Sequence, residues 1–133
     1  MFEARPKVLA VDDNLDDLET LTAFLVHWGY DPTPVANPVR ARGKFLQDES
    51  LKIIVMNYEL SEAEGITNGM ALAVRLMALR SGTQAIMLTK GEFRSLMPVA
   101  ERAGIRKVLL KTNRHWLREE LIAAEIAVEI SGI

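Results

Sequence analysis

The feature that most constrains this chain is an alternation running from one end to the other. Short, continuous apolar runs without helical period are separated by longer stretches whose apolar residues recur every three or four positions. The short runs are residues 8–11 (VLAV), 53–56 (IIVM), 85–88 (AIML) and 108–110 (VLL). Unbroken apolarity over so short a span fits strands covered on both faces, which requires helices above and below a parallel sheet. Between the runs, Leu15, Leu18, Leu21, Leu25 and Trp28 keep helical spacing and stop at Gly29. Residues 30–36 carry Pro32 and Pro34, and proline has no N–H to give a ladder, so a strand here is an edge strand. Asn37 before Pro38 caps a short second helix through Val39, Phe45 and Leu46. Residues 58–67 read as a long polar loop, after which Asn68 caps a third helix through Met70, Leu72, Ala73, Leu76 and Met77, ending near Gly82. Ser95 opens a fourth with Pro98 in its first turn and Gly104 at its end, and Thr112 or Asn113 opens the fifth.

Strand and helix thus alternate five times. Right-handed crossovers with helices on both faces predict an α/β, doubly wound (βα)5 flavodoxin-like three-layer sandwich. An edge position for the Pro-rich second strand selects the parallel order 2-1-3-4-5. At 133 residues the chain is read as one domain spanning 1–133, with no output domain. A formal net charge of −2 offers no basic excess for a phosphate backbone, so nucleic acid is not expected as a direct partner. The absence of cysteine removes disulfides and thiolate chemistry and fits a reducing compartment. Residues 1–7 lack the apolar stretch of a signal peptide and every apolar run is too short to span a bilayer. The expectation is a soluble, cytoplasmic protein without a membrane partner.

In such a sheet the working site lies at the carboxyl ends of the strands. Strand one ends in Asp12 and Asp13, strand three in Asn57, strand four in Thr89, and strand five in Lys111. Adjacent carboxylates repel and call for a cation or a lysine, and hard oxygen ligands with waters in place suit Mg²⁺. Taken alone, the two aspartates could equally precede and cap helix one. Taken with Thr89 and Lys111, they describe a site.

These segments resemble the receiver domains of two-component response regulators, over nearly the whole chain. Residues 7–14 (KVLAVDDN) look like that family's first strand and acidic pair, 85–89 (AIMLT) like its fourth strand and hydroxyl, and 104–111 (GIRKVLLK) like its fifth strand and lysine. Residues 69–76 resemble the start of its third helix. The resemblance implies that Asp12 and Asp13 are ligands of Mg²⁺, and that Thr89 and Lys111 contact phosphoryl oxygens. It also implies an aspartate at the end of strand three that takes a phosphoryl group from a histidine kinase. A metal and a lysine offset the negative charge that gathers in such a transfer.

Asn57 stands at that acceptor position, and an amide has no anionic oxygen to attack phosphorus. Ser61 replaces a usual proline, Val108 a usual aromatic switch residue, and Thr112 the proline after the lysine, while the loop before helix three is longer. Two aspartates against one lysine leave a formal site charge of −1, and the Asn57 carbonyl can serve as a neutral ligand, so weak Mg²⁺ binding by Asp12, Asp13 and Asn57 is expected.

Helix five carries two apolar stripes. Leu117, Leu121, Ala124 and Val128 follow one face, and Ile122, Ile126 and Ile130 another at spacing four. One face packs on the sheet. The other is expected to bind a partner, by preference a second copy through helices four and five, or else to be covered by residues 131–133. Arg94, Arg102, Arg106, Lys107, Arg114 and Arg118 gather nearby and could meet acidic surfaces. An enzyme is not expected: there is no Gly-rich loop after strand one, no G-x-S-x-G turn and no paired histidines. Two readings stay open. One is a signalling module that meets a histidine kinase or other signalling protein, and a separate output protein, without phosphorylation at Asn57. The other is an ordinary phosphoacceptor in which asparagine has replaced aspartate.

Overall fold

A computed structural model describes residues 5–91 and 93–132. Part of the N-terminal stretch read above as free of a signal peptide (residues 1–4), and Ile133 of the suggested helix-five cover, lie outside the described residues. The strands are β1 (Lys7–Val11), β2 (Asp31–Val35), β3 (Ile53–Asn57), β4 (Gln84–Thr89) and β5 (Lys107–Leu110). The helices are α1 (Leu15–His27), α2 (Pro38–Gln47), α3 (Gly69–Leu79), α4 (Phe93–Ala103) and α5 (Arg114–Ser131). All strand pairs are parallel and the order is β2-β1-β3-β4-β5, as the sequence predicts.

Alternate residues of each strand feed two separate cores, the period-two consequence of a pleated sheet. Leu9, Val11, Ile54, Met56, Ala85, Met87 and Val108 meet Phe45, Leu72, Leu76 and Leu96 from α2, α3 and α4. Val8, Ala10, Ile53, Val55, Ile86, Leu88 and Leu109 meet Leu21, Leu25, Leu117 and Leu121 from α1 and α5. This is the three-layer sandwich. Two layers of helix explain why the central strands carry no polar face.

Among the described residues β2 pairs with β1 alone, from Lys7↔Asp31 to Val11↔Val35. Asp31 donates its N–H to Pro6 O, and Val35 O accepts from Asp12 N, so alternate residues of β2 face the ladder. Pro32 and Pro34 fall between them, with their missing N–H on the open side. Asparagine caps four of the helices: Asn14, Asn37, Asn68 and Asn113 each accept, through the side chain, from the backbone N–H three residues on. Helix α4 departs from expectation, beginning at Phe93, so Pro98 lies inside the helix and not in its first turn.

The segment between β3 and α3 also differs from a plain polar loop. Glu64 (φ 48°) and Gly65 (φ 79°) form the tip of a tight turn whose flanks, Ala63 and Ile66, exchange both backbone hydrogen bonds. That turn folds Leu60 and Ile66 into the core. Among the described residues no helix is long and apolar enough to cross a membrane.

Candidate functional site

Sheet register brings the predicted residues to one edge. Val11 pairs with Met56, Asn57 with Leu88, and Thr89 with Leu110, so Asp12, Asn57, Thr89 and Lys111 all finish within two residues of the same level. The ladder is extended at that edge by Tyr58 N to Leu88 O and Lys111 N to Thr89 O. Asp12, Asn57 and Thr89 are buried.

Asp12 is the electrostatic centre. Its Oδ2 lies 2.7 Å from Lys111 Nζ, and its Oδ1 accepts from Asn14 N at 3.0 Å and from Asn57 Nδ2 at 3.4 Å. Burial pushes the Asp12 carboxyl above its ordinary value, although Lys111 and the Asn14 N–H pull it down. Burial alone would lower Lys111, but hydrogen bonds to Asp12 and to Asp17 overcome it, and the ammonium is held above its ordinary value. Asp17 Oδ2 accepts from Lys111 at 2.8 Å, and this bond holds the Asp17 carboxyl low.

Asp13 is engaged elsewhere. Its Oδ2 accepts from both Ser61 N at 2.9 Å and Ser61 Oγ at 2.7 Å. A proline at residue 61 could supply neither bond, so the serine there is tied to the acidic pair.

Asn57 donates from Nδ2 to Glu59 O at 2.6 Å as well as to Asp12, while its buried Oδ1 has no partner among the described residues. Gly69 is pressed against it: a Cβ there would stand 2.1 Å from Asn57 O, so the residue that opens α3 must be glycine for the strand end to hold its place.

The Thr89 side chain is engaged by Glu59. Its hydroxyl donates to the Glu59 carboxylate, 3.0 Å from Oε1 and 3.1 Å from Oε2, and Lys90 N donates to Oε1 at 2.7 Å. Asp17 and Glu59 are therefore site residues that sequence reasoning missed, and the count of two aspartates against one lysine omits both of their carboxylates. Each could have been suspected from its position, Asp17 in the first turn of α1 and Glu59 two residues past β3. Ile122, Ile126 and Ile130 are not part of this site. They lie on the outer side of α5, 45%, 52% and 64% exposed, while Leu117, Leu121 and Ala124 face the sheet. Val108, at the place of the expected aromatic, is a buried core residue.

No protein-family model matches the sequence, and no curated protein matches it. Solved structures do match in shape. The signal receiver domain of an HD domain-containing protein from Pseudomonas fluorescens Pf-5 superposes with a TM-score of 0.81 at 22% identity, over 95% of this chain and 98% of that one. The chain has the receiver-domain fold. Response regulator TrrA from Thermotoga maritima, in complex with Mg²⁺-BeF, gives 0.76 at 19% identity over 89% and 97%. An adenylate cyclase from Rhodopirellula baltica gives 0.84 at 14% identity over 97% and 93%.

Proposed function

We propose that this chain is a receiver module of two-component phosphorelay signalling that works without a phosphoryl group on residue 57. The observation that carries the reading is the convergence of Asp12, Thr89 and Lys111 around an asparagine at one edge of a receiver-type sheet. An aspartate in place of Asn57 would be the nucleophile, Thr89 and Lys111 its phosphoryl contacts, and Asp12 and Asp13 its metal ligands. The amide removes the nucleophile and leaves the support.

Asp12, Asp13 and Asn57 Oδ1, which has no hydrogen-bond partner among the described residues, would supply hard oxygen donors of the kind Mg²⁺ takes. When bound, the ion supplies positive charge beside an incoming anion. Here it must compete with Lys111 for Asp12 and with Ser61 for Asp13, and Nδ2 of Asn57 already bridges Asp12 Oδ1 and Glu59 O. Binding is therefore weak. Among the described residues no cluster of three or more acidic or histidine side chains stands ready for a metal.

Signalling then runs through protein contacts in the cytoplasm, with a histidine kinase or other signalling protein on one side and a separate output protein on the other. The exposed Ile122, Ile126 and Ile130 form the apolar strip for a homodimer through α4 and α5, where Met97 and Val99 are exposed as well.

Beryllofluoride, which binds a carboxylate as a phosphoryl mimic, tests the central reading. In amide NMR spectra with Mg²⁺ present, the Asn57→Asp variant is expected to shift at Thr89, Lys90 and Lys111 on its addition, and the unmodified chain to stay unchanged. Indifference of both proteins would overturn the receiver assignment.

A further inference from the structure

The Thr89 hydroxyl and the Lys90 amide both donate to one carboxylate, that of Glu59. The Thr89 hydroxyl is buried, with the residue 1% exposed, and it points at both oxygens of Glu59. Lys90 N–H, the next donor along the chain, takes Oε1 at 2.7 Å. Two donors on adjacent residues, the Thr89 hydroxyl shared between both oxygens and the Lys90 N–H, make three charge-assisted contacts with one carboxylate. Glu59 is itself an exposed residue, so its side chain gives up freedom to hold this pose.

The same residue is fixed from the other side. Asn57 Nδ2 donates to Glu59 O at 2.6 Å, so residue 57 holds the backbone of Glu59 while β4 holds its carboxylate. An aspartate at 57 could not make that bond when ionised, since a carboxylate is an acceptor only, and it would place a second negative charge beside the first. Asparagine at 57 and glutamate at 59 are thus chemically matched: the amide donates where a carboxylate would repel.

We propose that the Glu59 carboxylate is a built-in anion for the seat formed by the Thr89 hydroxyl and the Lys90 amide, keeping those two donors engaged with no phosphoryl group present. The inference rests on the reading of this edge as a receiver's phosphoryl site and adds its regulation: the chain holds one setting of the switch constitutively. The ligand class of the vacated seat is a small tetrahedral oxyanion.

The test uses the full chain, its Glu59→Ala and Glu59→Gln variants, and inorganic phosphate as the probe. In Glu59→Ala the Lys90 amide proton is expected to move upfield and to exchange with solvent about tenfold faster, the scale of losing one hydrogen bond to a charged group. Glu59→Gln, which keeps an acceptor oxygen, falls between. Millimolar phosphate then returns the Lys90 amide of Glu59→Ala downfield and leaves the unmodified chain unchanged. A Lys90 amide that is indifferent to Glu59→Ala, or a phosphate response equal in both proteins or absent from both, overturns the proposal.

A second arm separates this inference from the function it rests on. In Asn57→Asp, removing Glu59 is expected to speed phosphorylation by acetyl phosphate about tenfold, because the seat no longer has to be emptied. If neither aspartate form is phosphorylated while Lys90 still responds as described, the receiver reading falls and the self-filled seat stands. If both aspartate forms are phosphorylated at the same rate, Glu59 does not occupy the seat and the inference is overturned.

Discussion

The Lys111 ammonium lies 2.7 Å from Asp12 Oδ2, joining the end of β5 to the end of β1 across a buried edge. Asp12 is 3% exposed, so its charge depends on that partner. Lys111→Met should therefore cost about 3–5 kcal/mol near neutral pH, the range for stranding one member of a buried pair. The sign of its pH dependence follows from Asp12. Its folded pKa is already raised by burial, and loss of Lys111 raises it further, so the folded state binds the proton more tightly than the unfolded state. Stability of the variant must then rise as pH falls through that raised value and level off below the unfolded carboxylate range. Urea unfolding across the acidic range checks this, and Asp12→Asn in the same background should recover most of the loss. A deficit that stays constant with pH would contradict the pairing.

Gly69 offers a steric test of how α3 positions the site. Alanine there puts a methyl 2.1 Å from Asn57 O, and backbone must move to admit it. We expect Gly69→Ala to cost about 2 kcal/mol or more and to shift the Asn57 side-chain amide resonances. Gly43, inside α2 with open space around its Cβ position, is the control: Gly43→Ala should stabilise by about 0.5–1 kcal/mol.

Mg²⁺ binding should respond to the residue at 57 more than to any neighbour. Restoring a carboxylate with Asn57→Asp replaces a neutral ligand by a charged one and removes the Nδ2 bridge between Asp12 and Glu59, so affinity should rise by about tenfold or more. NMR titration of the Asn14 and Ser61 amides measures it. Affinities of the unmodified chain and an Asp12→Ala variant that agree within error would reject the weak site altogether.

The outer stripe of α5 predicts self-association. Ile126, 52% exposed, lies mid-way along the stripe, and Ile126→Glu should abolish any dimer while leaving thermal unfolding nearly unchanged. Sedimentation equilibrium over a wide concentration range decides between a dimer removed by this substitution and a chain that is monomeric throughout, the latter contradicting the proposal.

The sheet was legible because strands covered on both faces must be apolar throughout, and because Pro32 and Pro34 allow only an edge. The caps were legible because asparagine before Pro38, Gly69 and Arg114 satisfies N–H groups that have no other local partner. What was hidden is non-local. Nothing in the order of residues says that Lys111 takes Asp17, 94 positions away, or that Thr89 takes Glu59, 30 away, since each choice depends on side-chain reach after the fold is complete. The start of α4 was missed because Ser95 looks like a cap and Pro98 like a first-turn residue, whereas the helix accepts Pro98 inside. Leu60 and Ile66 read as loop until the Glu64–Gly65 turn folds them inward.

The most direct measurement of the account is intact mass after incubation with Mg²⁺ and acetyl phosphate, for this chain and for Asn57→Asp side by side. The aspartate form should gain one acid-stable, base-labile phosphoryl group, slowly while Glu59 is present, and the unmodified chain should gain none. Phosphorylation of the unmodified chain, or of neither protein, would contradict the reading of residue 57 as the vacated acceptor of a receiver site.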